Sequence, residues 1–211
     1  MHNQFYFLHL DKTIAKTAGI RLFDPMYPIM EENGVAATEL NMDHAKHNKW
    51  RDFDEKTFIF SILRNPVSRT LSEFSWWANY GDDNKRTHHY GRDSECPAYT
   101  KETLMDWLYN KHIPNYQSRT IEGNINRINM LVRAEDIRGN ENTLRDTMMK
   151  SLGITHNFKH YPLDFENVFM QTENKMNDIV NENLSILDDI KELNYEDYKL
   201  YTQASYASIL R

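Results

Sequence analysis

The sequence predicts an α/β protein built on a mainly parallel central sheet flanked by helices. Two patterns carry that expectation: short apolar runs that read as buried strands, and amphipathic stretches at helical spacing that separate them. The length of 211 residues suits a single domain over 1–211, with enough chain to bury a core against a sheet. No repeat of 20 to 50 residues and no Gly/Ser or Pro-rich linker divides it.

Residues 5–10 (FYFLHL) form an aromatic and aliphatic run of the kind found in a strand covered on both faces. Residues 57–63 (TFIFSIL) are a second and stronger run, residues 128–132 (INMLV) a third, and residues 35–40 add an edge strand. Asn65-Pro66-Val67 opens a helix, because proline suits the first helical turn, and Val67, Thr70, Leu71 and Phe74 line one face. Residues 100–110 have a capping-box look, with threonine rather than Glu or Gln at Thr103, and place Leu104, Trp107 and Leu108 on one side. Residues 142–152, followed by Gly153, read as a helix with a glycine stop. The stretch 172–208 sets Leu and Ile at helical spacing among Asn, Asp and Glu and predicts one or two closing helices. Its acidic runs, Asp188-Asp189 and residues 192–197, read as solvated helix faces.

Composition removes several classes of function. Aromatic residues at 12% exclude a disordered chain. A mean hydropathy of -0.75 and the lack of any apolar run near 18 residues exclude a membrane span. The opening MHNQFYFLHLDKT is not a signal peptide, since Asp11 ends its short apolar stretch. The single cysteine, Cys96, excludes an internal disulfide framework and a Cys-based zinc cluster. It has no evident activating partner in the sequence. The expected setting is the cytoplasm, with no membrane partner. The net charge of -6 argues against a nucleic-acid partner. Oligomeric state is not encoded in any of these features.

Parallel sheets bind ligands at the carboxyl ends of their strands, so the loops after the first two strong runs are the places to look. After the first comes His9-Leu10-Asp11-Lys12-Thr13-Ile14-Ala15-Lys16-Thr17-Ala18-Gly19. Two Lys-Thr pairs sit where a strand-to-helix turn presents backbone N–H groups to an anion, and Ala18-Gly19 allows close approach of backbone to ligand. It is not a Walker A loop, because G-x-x-x-x-G-K-[ST] is absent. The plain alternative is a solvated Lys/Thr loop. After the second run comes Arg64, followed at once by a helix start. A guanidinium beside helix N–H groups and the positive helix end makes a phosphate clamp. Ser72 falls two turns along that helix, roughly on the face of Arg64. The plain alternatives are a surface cation and a mid-helix serine.

Taken together, the two loops resemble those of sulfotransferases that use 3′-phosphoadenosine 5′-phosphosulfate (PAPS), in the branch containing heparan sulfate 2-O-sulfotransferase and related carbohydrate O-sulfotransferases. That branch reads H-I-P-K-T-(G/A)-G-T-S after its first strand and L-R-D-P-V-x-R-x-x-S-x-(Y/F) after a later one. Here the second motif is Leu63-Arg64-Asn65-Pro66-Val67-Ser68-Arg69-Thr70-Leu71-Ser72-Glu73-Phe74, with Asn65 in place of Asp. In the first motif His9 to Lys12 fits the beginning and Lys16-Thr17-Ala18-Gly19 the core, as though four residues were inserted. Ile20 and Arg21 stand where Thr-Ser is usual, which removes two hydroxyl donors and adds a cation. Other segments fall in the family's order: residues 76–83 (WWANYGDD), Asn115-Tyr116-Gln117-Ser118-Arg119, the late strand and helix from 128 to 154, and residues 194–201 (NYEDYKLY).

The resemblance implies a single sulfotransferase-type domain of P-loop-NTPase-like fold. It implies that PAPS is held by Lys12, Thr13, Lys16, Thr17, Ala18, Gly19, Ile20 and Arg21 at the 5′-phosphosulfate, and by Arg64 and Ser72 at the 3′-phosphate. The product would be adenosine 3′,5′-bisphosphate (PAP). Lys16 is preferred over Lys12 as the family lysine, because the stretch to Asn33-Gly34-Val35 then keeps a helix of familiar length. The family places a catalytic histidine about twenty residues before the 3′-phosphate arginine; His44 meets that spacing, and His47 lies slightly nearer. Transfer of a sulfuryl group needs the acceptor hydroxyl deprotonated and the departing phosphate neutralised, roles for a histidine base and for Lys16. No metal is implied. The basic segment 85–92 (KRTHHYGR), with Trp76, Trp77 or Tyr80 as stacking surfaces, is a candidate contact for a glycan or small-molecule hydroxyl acceptor. Two other readings remain open: a nucleotide kinase or NTPase on a related fold, and a non-catalytic PAP(S)-binding module.

Overall fold

The structure is a computed structural model that describes residues 2–8, 10, 22–37, 49–80, 100–121, 123–137, 139–158, 179–181, 183–204 and 208–209. In chain order the strands are β1 (Gln4–Leu8), β2 (Ala36–Ala37), β3 (Thr57–Leu63), β4 (Met130–Arg133) and β5 (Ser208–Ile209). The helices are α1 (Tyr27–Glu32), α2 (Pro66–Tyr80), α3 (Lys101–Asn110), α4 (Tyr116–Ile121), α5 (Ala134–Ile137), α6 (Glu141–Ser151), α7 (Leu184–Leu193) and α8 (Tyr195–Gln203). Among the described residues no helix is long and apolar enough to cross a membrane.

The sheet has the order β2-β1-β3-β4-β5; the first four strands are parallel, and the two residues of β5 pair antiparallel to β4. The α/β class and the mainly parallel sheet agree with the sequence reading. Differences are local. The first strand stops at Leu8 instead of continuing to Leu10, although Leu10 is fully buried. The third runs over Met130–Arg133, shifted toward the carboxyl end of INMLV. The antiparallel β5 has no counterpart in the sequence reading.

Every residue of β3 is buried, as both-face coverage of an interior strand requires. The period-two alternation of strand side chains sorts them into two cores. On one face Phe5, Phe7, Phe58, Phe60 and Ile62 meet Leu22 and Phe23 from the segment leading into α1, Met30 of α1, and Leu144, Met148 and Met149 from α6. Phe23 is the hub, with ring centroids 4.8 Å from Phe7, 5.5 Å from Phe5 and 5.5 Å from Phe60. On the other face Tyr6, Leu8, Ile59, Leu63 and Leu131 meet Ile121 of α4 and Leu200 of α8. A third cluster joins α2, α3 and α7 through Phe74, Leu104, Trp107, Leu108, Ile186 and Ile190.

Local signals explain the helix ends. Thr100 and Thr103 form a capping box, each side chain accepting from the other's backbone N–H at 3.2 and 3.1 Å. Gly153 takes φ 79° one residue after the Leu152 C-cap of α6, a conformation costly for any residue with a Cβ. Arg145 of α6 is fully buried; its Nε donates to the Leu22 carbonyl at 2.8 Å and its Nη1 to Asn142 Oδ1 at 2.7 Å. This pins the chain where it returns from the loop that follows β1.

Two expectations follow from this packing. Phe60→Ala removes a fully buried ring from the sheet core and lowers the unfolding free energy by about 3–5 kcal/mol, measured by urea denaturation. Burial, reinforced by Asp24, pushes the Tyr27 phenol up to about 12 from its ordinary 10.0. The unfolded chain therefore ionises Tyr27 first, so its effect on stability is absent below pH 10.0 and grows as a loss of stability up to about pH 12. Tyr27→Phe should flatten the fall in thermal midpoint over that interval, followed by circular dichroism.

Candidate functional site

The winding of the sheet locates the site. From β1 the chain crosses outward to β2, then returns past β1 to β3 and continues to β4, so the direction of winding reverses between β1 and β3. At such a switch point the two following connections leave on opposite faces and open a crevice at the carboxyl ends of the strands. The chain after β1 does lead to one face through Leu22 and Phe23, and the β3–β4 crossover returns on the other through Ile121. The register Leu8↔Ser61 puts the exit of β1 beside the last residues of β3, where Ser61 Oγ donates to the Leu8 carbonyl at 2.8 Å. Leu10 packs in the same cluster as Leu63. The two expected phosphate loops thus start side by side.

At the end of β3, Arg64 is 8% exposed. Its N–H donates to Gln117 Oε1 at 2.8 Å, and Gln117 Nε2 donates back to the Arg64 carbonyl at 2.9 Å. Gln117, on α4, is fully buried. Its amide copies the pairing that a neighbouring strand would give and fixes the peptide from which the Arg64 side chain projects. Asn65 follows as the cap of α2: its Oδ1 accepts from Val67 N–H at 3.0 Å and Ser68 N–H at 3.4 Å, while its own N–H donates to Glu135 Oε1 at 2.9 Å.

This corrects one expectation. The sequence reading assigned the first N–H groups of this helix to an anion, yet those of Asn65, Val67 and Ser68 are engaged within the protein. Side chains at this turn are the Arg64 guanidinium and, along the helix, the hydroxyls of Ser68 and Ser72. These two half-buried serines are four residues apart and share a face of α2.

The adjoining face of α2, which carries Arg69 and Glu73, is framework. Arg69 is 1% exposed, lies 3.3 Å from Glu73 Oε2 through Nη1, and sits over the Tyr116 ring at 4.4 Å. Glu73 Oε2 also meets His112 Nδ1 at 3.2 Å, while His112 Nε2 lies 3.1 Å from Asn194 Oδ1. Asn194 is fully buried between α7 and α8, with Nδ2 donating to the Ile190 carbonyl at 2.9 Å and Oδ1 accepting from Asn115 N–H at 3.1 Å. That bonding fixes the amide orientation, so both ring nitrogens of His112 face acceptors.

Helices α4 and α8 cap each other. Asp197 accepts from the N–H groups of Gln117 at 3.1 Å and Ser118 at 2.7 Å; Asn115 Oδ1 accepts from those of Glu196 at 2.9 Å and Asp197 at 3.2 Å. Asn115 holds φ 55°, a left-handed conformation that asparagine tolerates better than most residues. The segments 115–119 and 194–201, which sequence reading aligned only loosely, are therefore in direct contact. Asp197 is 1% exposed and a helix cap, which corrects its reading as part of a solvated acidic face.

A further bridge joins the turn to the end of β4. Glu135 accepts from Asn65 N–H through Oε1 and from the Tyr201 hydroxyl through Oε2 at 3.1 Å. Burial first, and Glu135 second, raise the Tyr201 phenol well above its ordinary range. Arg133 lies 5.5 Å from the Tyr201 ring and donates to Asp136 Oδ2 at 2.6 Å. Sequence reading missed Glu73, His112, Glu135 and Asn194 as supports; Glu73, Glu135 and Asn194 fall within the family-like segments but had no role there, and His112 lies outside them.

Of the sequence-derived site residues, Arg64 and Ser72 lie on β3–α2 as expected. Lys12, Thr13, Lys16, Thr17, Ala18, Gly19, Ile20, Arg21, His44 and His47 lie outside the described residues, as do segment 85–92 and Cys96. Trp77 is half-buried against the α2–α3–α7 cluster, 5.9 Å from Phe74 and 6.3 Å from Trp107, with Lys111 Nζ 5.0 Å from its ring centroid. Among the described residues no group of three or more His, Cys, Asp or Glu could hold a metal ion.

Gln117→Ala should cost about 2–4 kcal/mol of stability in urea denaturation, because it strands both backbone groups of Arg64. A loss under about 0.5 kcal/mol would show that water replaces the clamp without penalty. No family model, curated protein or solved structure matches this chain.

Proposed function

We propose that the chain is a PAPS-dependent O-sulfotransferase that moves a sulfuryl group to a hydroxyl acceptor, most simply a carbohydrate. One observation supports this above the others. The strands that carry the two motifs are sheet neighbours at the topological switch point, with Arg64 held by Gln117 where the second begins its turn. The segment with Lys12 and Lys16 follows β1 in sequence, and Arg64 follows the neighbouring β3.

In this reading the 3′-phosphate is bound by side chains, with Arg64 supplying a charged fork and Ser72 a hydroxyl, since the nearby backbone donors are already engaged. The 5′-phosphosulfate falls to the loop 12–21, where Lys16 or Lys12 and Arg21 offset negative charge as the sulfur–oxygen bond to phosphate breaks. His44, or His47, takes the proton from the acceptor hydroxyl as its oxygen bonds to sulfur. The nucleotide supplies the activated sulfuryl group, and PAP leaves.

The test is transfer of labelled sulfate from PAPS to a panel of saccharides and small alcohols. Arg64→Ala, Lys16→Ala and His44→Ala should each lower turnover by about 100-fold or more; Lys12→Ala and His47→Ala settle the two alternatives. Arg64→Lys, which keeps the charge, controls for folding. Wild-type turnover in all five alanine variants would refute the site. Thermal shift separates the other readings: stabilisation by ATP–Mg²⁺ but not PAP marks an NTPase, and PAP binding without transfer marks a binding module.

A further inference from the structure

A described cavity outside the candidate site lies at the other end of the sheet. A cavity of about 630 Å³ opens at the amino ends of β3 and β4, between residues 53–59 and 123–129. That volume is in the roughly 300–1,000 Å³ range of small-ligand sites. Thr57 lines it, and Arg64 follows the far end of the same strand, about 23 Å away at ~3.3 Å per residue. It is a separate site and does not rest on the sulfuryl-transfer reading.

Its wall combines fixed donors, open acceptors and one aromatic face. Asn129 continues the sheet ladder by one rung: its N–H donates to the Ile59 carbonyl at 2.9 Å and its Oδ1 accepts from Ile59 N–H at 2.7 Å. The amide is thus held by its oxygen, and its Nδ2 protons have no bond among the described residues. Arg127, half-buried on the same wall, likewise has no side-chain bond among the described residues. Facing them, Asp54 uses Oδ1 to accept from Lys56 N–H at 3.0 Å and shares the Thr57 hydroxyl (3.3 Å) with Gln4 Oε1 (2.9 Å), leaving Oδ2, and the exposed Glu55 adds a second carboxylate. Phe53 is held edge-on by Tyr6 with ring centroids 4.7 Å apart, so its position is fixed before any ligand arrives.

We propose that this cavity binds a neutral saccharide. The reasoning is by charge and by valence. A free anion meets Asp54 and Glu55; a free cation meets Arg127. A hydroxyl both donates and accepts, so a ligand with several hydroxyls can use the Asn129 and Arg127 donors and the Asp54 and Glu55 acceptors at once. Planar amide, guanidinium and carboxylate groups match pairs of adjacent hydroxyls with two parallel bonds, and the apolar C–H face of a sugar ring suits Phe53.

The experiment follows backbone amide resonances of the full chain during titration with N-acetylglucosamine, maltose and lactose, with sulfate and spermidine as charged controls and no nucleotide present. At least one sugar should shift amides within 53–59 and 123–129 in the millimolar range. Arg127→Ala should weaken that sugar about tenfold, and Glu55→Gln, which leaves the fold's bonds untouched, should weaken it severalfold, both at unchanged thermal midpoint. No sugar-induced shift, shifts confined to other residues, or stronger response to sulfate or spermidine than to every sugar overturns the proposal. Because no PAPS or transfer is involved, its outcome is independent of the outcome of the sulfate-transfer assay.

Discussion

The paired amide bonds between Gln117 and the backbone of Arg64 are the constraint on which the upper end of the sheet depends. At that point β1 has already ended at Leu8, opposite Ser61, and the last rung to β4 joins Leu63 to Arg133. The next peptide is still buried, and a buried N–H or C=O with no partner costs about 1–3 kcal/mol. Gln117 answers both groups with one side chain. It can do so because Asp197 caps the helix that carries it and Asn115 caps the helix that carries Asp197. A helix near the end of the described chain therefore sets the direction in which Arg64 leaves the sheet.

The carboxylates around the turn are used in a consistent way. Glu135, Asp197 and Glu73 each bind groups of the framework: a backbone N–H and a phenol, two backbone N–H groups, and an arginine with a histidine. The two arginines of the second motif divide accordingly. Arg69 is enclosed with Glu73 and Tyr116 and holds α2 against α4. Arg64 stands at the carboxyl end of β3, beside the switch point of the sheet. Under the proposed sulfuryl transfer, the nucleotide phosphate is met by side chains that can adjust, mounted on a backbone that cannot.

The fold was legible wherever apolar content and chain direction agreed. Residues 57–63 were read to the residue, since every position is buried and the following Asn65-Pro66 gives an unambiguous helix start. The end of β1 was read two residues late because Leu10 is as apolar and as buried as a strand residue while lying beyond the last rung. Helices α4 and α5, of six and four residues, are too short for a 3.6-residue period to stand out. Of the candidate site, the Arg64 turn was visible as a motif. Its supports were not, since nothing in the sequence marks Gln117 or Asn194 as fully buried; a polar side chain enters a core when the backbone around it lacks a partner, and that is decided by the tertiary arrangement. The capping role of Asp197 was hidden for a related reason, its acidic neighbours being exposed.

The reciprocal caps of α4 and α8 have a consequence in time. Asn115 and Asp197 are 82 residues apart, and a six-residue helix does not persist in water by itself. As the chain leaves the ribosome, β1 and β3 can pair once residue 63 is made, but α4 gains its cap only after residue 197 has emerged. The Arg64 peptide therefore waits for more than half of the chain before its partner is in place. Ordering of that end of the sheet draws on a segment made late, and loss of α8 would remove the cap that the Gln117 clamp depends on.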